Sequence, residues 1–189
     1  MKTIKITKKI LEQVFQSSNI LYDKHGEEHY NIASALIKSM RASDPNAAVY
    51  WLARMVEAGE DPKFIARRCM ILASEDIGNA DPHALVLANS AFEAVQKIGW
   101  PESRIILSQL VIYLAKAPKD NSAYVAIDRA LADAKETMNL PVPLHLRNAP
   151  TKLMKELDYG KGYVYDHNVE GKKSGQQCLP DELIGKKYV

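Results

Sequence analysis

Three Asp-Pro pairs, Asp44-Pro45, Asp61-Pro62 and Asp81-Pro82, punctuate the chain at intervals of roughly seventeen to twenty residues, each followed by an apolar pattern of helical period. The chemistry of such a pair is restrictive. The carboxylate accepts a bond from a backbone N–H that the first helical turn leaves unpaired, which is worth about 1 kcal/mol. Proline at the first helical position gives up an N–H that had no partner there, and its fixed φ suits the helix. Glycines 59, 78 and 99 fall near the ends of the preceding segments, where a left-handed residue is wanted, and Trp100-Pro101 opens a further segment without an acidic cap.

This punctuation predicts helices at 7–17, 27–41, 45–58, 62–75, 82–98, 101–117 and 121–139. None is long enough to be secure alone, so packing must hold them. "PNAAVYWLARMVEA" is apolar nearly all round except at Asn46, Arg54 and Glu57, and "ESRIILSQLVIYLAKA" is similar. Such helices sit at the centre of a core or under another subunit. The regular spacing is compatible with a solenoid of helical hairpins, but no internal motif repeats, and a bundle is the better reading.

After Asn139 the character changes. Prolines 141, 143 and 150 lead into one short helix, "TKLMKELD", and glycines 160, 162, 171, 175 and 185 follow among tyrosines and lysines. This is an extended tail, 140–189, with too few aliphatic residues for a core of its own; it is expected to wrap over the helical body.

Composition excludes several classes. With 47% apolar and 25% charged residues over 189 positions, the chain is neither disordered nor a membrane protein in character. Its longest apolar run, "IILSQLVIYLAKA", is interrupted by Ser108 and Gln109 and is too short to span a bilayer. No secretory signal is expected in "MKTIKITKKILEQVF". Cys69 and Cys178 have no metal-ligand spacing and form no evident disulfide framework, so a reducing cytoplasm is the expected compartment. A net charge of +2 permits a nucleic-acid partner without announcing one.

Several stretches resemble catalytic or binding motifs. His25, Glu28 and His29 spell H-x-x-E-H, the inverted zinc-protease pattern, which needs both histidines on one continuous helix. Gly26 makes "YDKHG" a turn before a helix, leaving His25 outside it, while His29 falls in series with Ile32, Leu36 and Met40 as a core or boundary histidine. No metal ligand set is therefore assigned. Glu75, Asp76 and Asp81 in "ASEDIGNADP" form an acidic cluster, read as two solvated helix-end groups and a cap rather than as a catalytic pair. "DYGKGYVY" and "EGKKSG" each lack the first glycine of a phosphate loop, so no catalytic or cofactor-binding residue is assigned and the chain itself is not expected to be an enzyme. The best binding candidates lie in the tail. Arg147, Lys152, Lys155, Lys161, Lys172 and Lys173 offer phosphate contacts, and Tyr163, flanked by Tyr159 and Tyr165, offers a stacking face. Glu156, Asp158, Asp166 and Glu170 dilute that charge.

The long stretches "YDKHGEEHYNIASALIKSMRASDPNAAVYWLARMVEAGEDPKFIARRCMILASEDIGNADP", "YLAKAPKDNSAYVAIDRALADA", "LPVPLHLRNAPTKLMKELDYGKGYVYDHN" and "CLPDEL" closely resemble the C-terminal part of the RarA (MgsA) AAA+ ATPases, relatives of the eukaryotic Werner-helicase-interacting protein. The resemblance covers about residues 20–189 and departs from the common pattern at Cys178 and Val164. It implies an all-α helical bundle of the clamp-loader collar type with the tail packed on it. Residues 1–20 would lead in from an ATPase module, and 21–189 would form an oligomerisation domain that gathers a homotetramer. For the parent protein it implies ATP and magnesium as cofactors and DNA and single-stranded-DNA-binding protein as partners. Its place would be the cytoplasm, at the nucleoid, in replication-fork maintenance and recombination.

Overall fold

The computed structural model describes residues 27–189; the expected helix at 7–17, the lead-in 1–20 and His25 lie outside that range. Among the described residues every regular element is helical. In chain order they are α1 (Glu27–Arg41), α2 (Pro45–Glu57), α3 (Pro62–Leu72), a π-helical turn (Ala73–Ile77), α4 (His83–Ile98), α5 (Ser103–Lys116), α6 (Ser122–Thr137) and the short α7 (Lys152–Glu156), with single 3-10 turns between and after them. The all-α class read from the sequence is the class of the fold. The chain divides into two compact units, one ending at Tyr124 and a second from Val125 to Val189.

The first unit is a bundle of α1–α5. Two caps act as the sequence requires: Asp44 Oδ1 accepts from the N–H groups of Asn46 and Ala47 at 3.0 and 2.9 Å, and Asp61 Oδ1 from Lys63 N–H at 3.0 Å. Asp81 caps one residue early, accepting from His83 N–H at 3.2 Å while Pro82 stands in the cap position of α4. The core joins Leu36 and Met40 of α1, Leu52 and Met55 of α2, Ile65 and Leu72 of α3, Ala88 and Val95 of α4, and Leu107, Leu110 and Leu114 of α5. Each has lost nearly all of its accessible surface, which for an aliphatic side chain stabilises by about 1.5–3 kcal/mol.

Several helix ends differ from the sequence expectation: α2 stops at Glu57 rather than at 58, α4 begins at His83 rather than at 82, and α6 runs from Ser122 to Thr137 rather than from 121 to 139. α3 stops at Leu72 rather than at 75, and Ala73–Ile77 continues as a π-helical turn ending at Gly78, whose φ of +50 is left-handed. Gly78 is also a close approach, because a Cβ there would lie 2.7 Å from the Asp120 carbonyl oxygen. α5 begins at Ser103 rather than at Pro101, since the buried Ser103 directs both its N–H and its hydroxyl to the Gly99 carbonyl at 3.0 and 2.6 Å.

The second unit has no buried residue. Directional bonds shape it instead. Asp133 of α6 accepts from Lys186 Nζ at 3.1 Å and from the Tyr188 hydroxyl at 2.8 Å, fixing the C-terminus to that helix. His145 Nε2 lies 2.8 Å from the Gln177 carbonyl. The Gln176 side chain donates to the Gly162 carbonyl at 3.0 Å and accepts from Val164 N–H at 3.3 Å, standing in for a paired strand.

Candidate functional site

The tail residues expected to contact phosphates all fall in the second unit, but in different states of engagement. Arg147 is committed within the chain. Its Nε donates to the Val142 carbonyl at 2.6 Å, an Nη donates to the Tyr159 hydroxyl at 3.2 Å, and the guanidinium lies 5.0 Å from the Tyr159 ring centroid. Tyr159, half-buried, is thus stacked on an arginine of its own chain and not offered to a base. Lys161 bonds Asp158 at 3.0 Å, and Lys152 lies 3.9 Å from Glu156 one turn along α7; both pairs are exposed and contribute little. Lys155, Lys172 and Lys173 are exposed.

Tyr163 and Lys173 are brought together. They line one shallow cavity of about 420 Å³ with Leu146, Asp166, Ser174 and Gln176. Asp166 shapes its wall by accepting from Ser174 N–H at 2.6 Å, a bond that holds its carboxyl below the usual range. The two glycine-lysine stretches do not make a phosphate cradle: Lys161 turns to Asp158, and the Gly162 carbonyl is occupied by Gln176.

In the first unit the structure revises the reading of the acidic cluster. Asp76 is not a solvated helix-end group; it is 8% exposed and receives the Arg41 guanidinium bidentately, Nε to Oδ1 at 2.5 Å and Nη2 to Oδ2 at 3.0 Å. Glu75 takes the same Nη2 at 3.2 Å. The bond to Asp76 pushes the Arg41 pKa up still further. Asp81, one residue before the cap position of α4, also accepts from the Tyr113 hydroxyl at 2.6 Å, which raises the phenol's pKa. His29 is a buried boundary histidine, its Nδ1 2.7 Å from Glu60 Oε2 and its ring 4.8 Å from that of Phe64. Among the described residues no three His, Cys, Asp or Glu side chains are grouped to hold a metal ion. Cys69 is fully buried, and burial pushes its thiol up to about 12.

The remaining surface feature of this unit is apolar. Although α2 and α5 contribute to the core, Tyr50, Ile105 and Ile112 point outward, with Ile105 61% exposed. α4 adds Leu85, Val86 and Ile98. Between α2 and α5 an open groove of about 430 Å³ is lined by Val49, Val56, Ile105 and, at its rim, Glu57 and Arg104. No helix among the described residues is long and apolar enough to cross a membrane.

Comparison with known proteins matches these features to one family. The family described as "MgsA AAA+ ATPase C terminal" matches residues 42–189, and the one described as "AAA C-terminal domain" matches residues 1–41. Replication-associated recombination protein A of Coxiella burnetii is 48% identical over 95% of this chain and 41% of that protein; its Escherichia coli K12 counterpart is 44% identical over 95% of this chain and 40% of that protein. ATPase WRNIP1 of Dictyostelium discoideum is 42% identical over 100% of this chain and 22% of that protein. The chain therefore spans about two fifths or less of the length of these relatives. With a match across residues 42–189 and an all-helical architecture to carry it, the chain belongs to the MgsA AAA+ ATPase C-terminal family.

Proposed function

We propose that this chain is the self-assembling C-terminal region of an AAA+ ATPase of replication-associated recombination, and that it gathers four copies. The observation that carries the reading is the set of exposed apolar side chains on α2, α4 and α5, Tyr50, Val86 and Ile105 among them, over a closely packed core. Relatives named for replication-associated recombination support the wider setting. In it, the parent protein binds ATP and magnesium through another module, acts on DNA at the nucleoid, and meets single-stranded-DNA-binding protein there. Among the described residues Lys161 bonds Asp158 and the Gly162 carbonyl is taken by Gln176, and the contribution assigned to this chain in this reading is mechanical. Holding four modules together converts weak individual contacts with DNA into avid ones, because each further contact is made at the high effective concentration of a tethered group. Sedimentation of the purified chain at micromolar concentration tests this: a tetramer is expected, and a strict monomer overturns it. Ile105→Asp, which places a charge on the exposed face without touching the core, should shift the population to smaller species.

A second reading is favoured by one observation, the shared cavity of Tyr163 and Lys173 with exposed Lys155 and Lys172 elsewhere in the same unit. In it the tail contacts DNA or a replication partner. Replacing Lys155, Lys172 and Lys173 by alanine should then weaken DNA binding and reduce the salt slope by about one for each phosphate that is no longer neutralised, leaving assembly unchanged. Equal affinity and slope in the triple variant would reject it.

A further inference from the structure

The border between the two family regions falls between Arg41 and Ala42, at the end of α1. α1 thus belongs by sequence to the region matched as an AAA C-terminal domain, and a border at a short inter-helix connection invites the reading of a joint. The contacts are those of a fixed junction. The apolar face of α1, Ile32, Leu36, Ile37 and Met40, is part of the same core as Met55, Leu72 and Leu107. Apolar burial alone is non-directional and leaves a helix able to slide or roll on its partner. Here both ends are pinned by directional polar contacts.

At the first turn, His29 is held by Glu60, whose second carboxylate oxygen accepts from Asp61 N–H at 2.8 Å and whose carbonyl accepts from the Trp100 indole at 3.0 Å. At the last residue, Arg41 grips Asp76 bidentately. Asp76 is itself anchored, since its carbonyl accepts from Asp120 N–H at 2.8 Å. The connection is equally bonded: Ala42, Ser43 and Asp44 donate their N–H groups to the carbonyls of Lys38, Met40 and Ser39 at 2.9 to 3.1 Å, and Asp44 then caps α2. A planar guanidinium on a carboxylate fixes orientation as well as distance.

We propose that α1 is a rigid coupling lever, the end of the region matching residues 1–41 clamped at His29–Glu60 and Arg41–Asp76 into the first unit, so that movement upstream of it displaces that bundle as a whole and does not bend the chain at residue 42. Both clamps lie within one copy and do not depend on self-assembly.

Amide hydrogen exchange on the intact chain, read helix by helix, tests it. In the unaltered protein the α1 amides downstream of its first turn should exchange within about threefold of those of α5 and with the same dependence on denaturant, because both open only with the whole unit. Exchange of α1 about ten times or more faster than α5 under native conditions would mean that the helix undocks alone, and would overturn the proposal. In Arg41→Ala combined with Glu60→Gln, α1 should exchange at least about tenfold faster while α5 stays within about threefold of the parent. Unchanged α1 rates, or an equal rise in both helices, would show that the two clamps do not hold it. If that variant does not fold, the comparison within the unaltered protein decides.

Discussion

The two compact units solve the same problem by different means. The first, through Tyr124, buries a continuous set of aliphatic side chains and uses polar groups to fix how the helices are arranged around them. The second, from Val125, buries no residue and is shaped by side chains that reach back to the backbone or to one another: Arg147 to Val142, Gln176 to Gly162, Lys186 and Tyr188 to Asp133. Apolar burial scales with area and tolerates imprecise geometry, whereas each bond of the second kind contributes only about 0.5–1.5 kcal/mol and requires its partner in place. A unit built that way stays near the low end of local stability and can reorganise on a partner at small cost.

The sharpest way to break this contrast is to truncate one leucine in each unit. Leu107, fully buried at the centre of α5, should cost about 2–5 kcal/mol when changed to alanine, through lost transfer energy and the cavity left behind. Leu153→Ala, at a side chain 64% exposed on α7, should stay within about 0.5 kcal/mol. Chemical denaturation of the two variants gives both numbers. Comparable losses would mean that the second unit is buried against something in solution and that its open surface is not its working state.

A smaller effect probes the turn where backbone, rather than side chain, sets the geometry. At Gly78 a methyl group would meet the Asp120 carbonyl at 2.7 Å, and the φ of +50 already disfavours an L side chain. Gly78→Ala should therefore destabilise the first unit by about 1–3 kcal/mol. It should also loosen the π-helical turn that presents Asp76 to Arg41, visible as faster exchange of the amides of 73–78. No change in either would show that the turn relaxes freely.

How much of this was legible in the sequence depended on how far each cause reaches along the chain. The caps at Asp44 and Asp61 act on N–H groups two or three residues away, and their helices begin where the pairs stand. The burial of His29 followed from its register with Ile32 and Leu36. The fate of Asp76 was not legible, because its partner Arg41 is 35 residues upstream and the π-helical turn that carries it has no composition of its own. Glu60 was likewise hidden: a polar residue beside Gly59 reads as a loop, and only the fold reveals His29 and the Trp100 side chain around it. Among the tail candidates, the sequence identified the basic residues but not that Tyr159, twelve residues on, takes Arg147 out of reach. Residue type was readable; availability was a property of the packing.

The smallest expected effect belongs to the second unit and turns on pH. Asp133 is held below the ordinary carboxylate range, first by the Tyr188 hydroxyl and then by the Lys186 ammonium, and the Asp133 carboxylate in turn holds the Lys186 pKa above its usual value. A carboxylate whose pKa is depressed in the fold contributes stability that is complete above its unfolded value, about 3.9, and is lost as the pH falls through the folded one. For the lysine the order reverses: its contribution is complete below about 10.4 and disappears as the pH rises through its raised folded value. The pair should therefore give a plateau across neutral pH with a loss at each end. In Asp133→Asn, which keeps an acceptor for Tyr188 but removes the charge, both flanks should flatten, and the difference in protection from the parent should vanish as the pH drops well below about 4. Because the Lys186 side chain is 52% exposed, the plateau should also shrink in high salt. Tryptophan fluorescence cannot follow this, as Trp51 and Trp100 both lie in the first unit, so the readout is hydrogen exchange of α6 and of residues 183–189. Identical exchange in variant and parent at every pH would assign the C-terminal anchor to the Tyr188 hydroxyl alone.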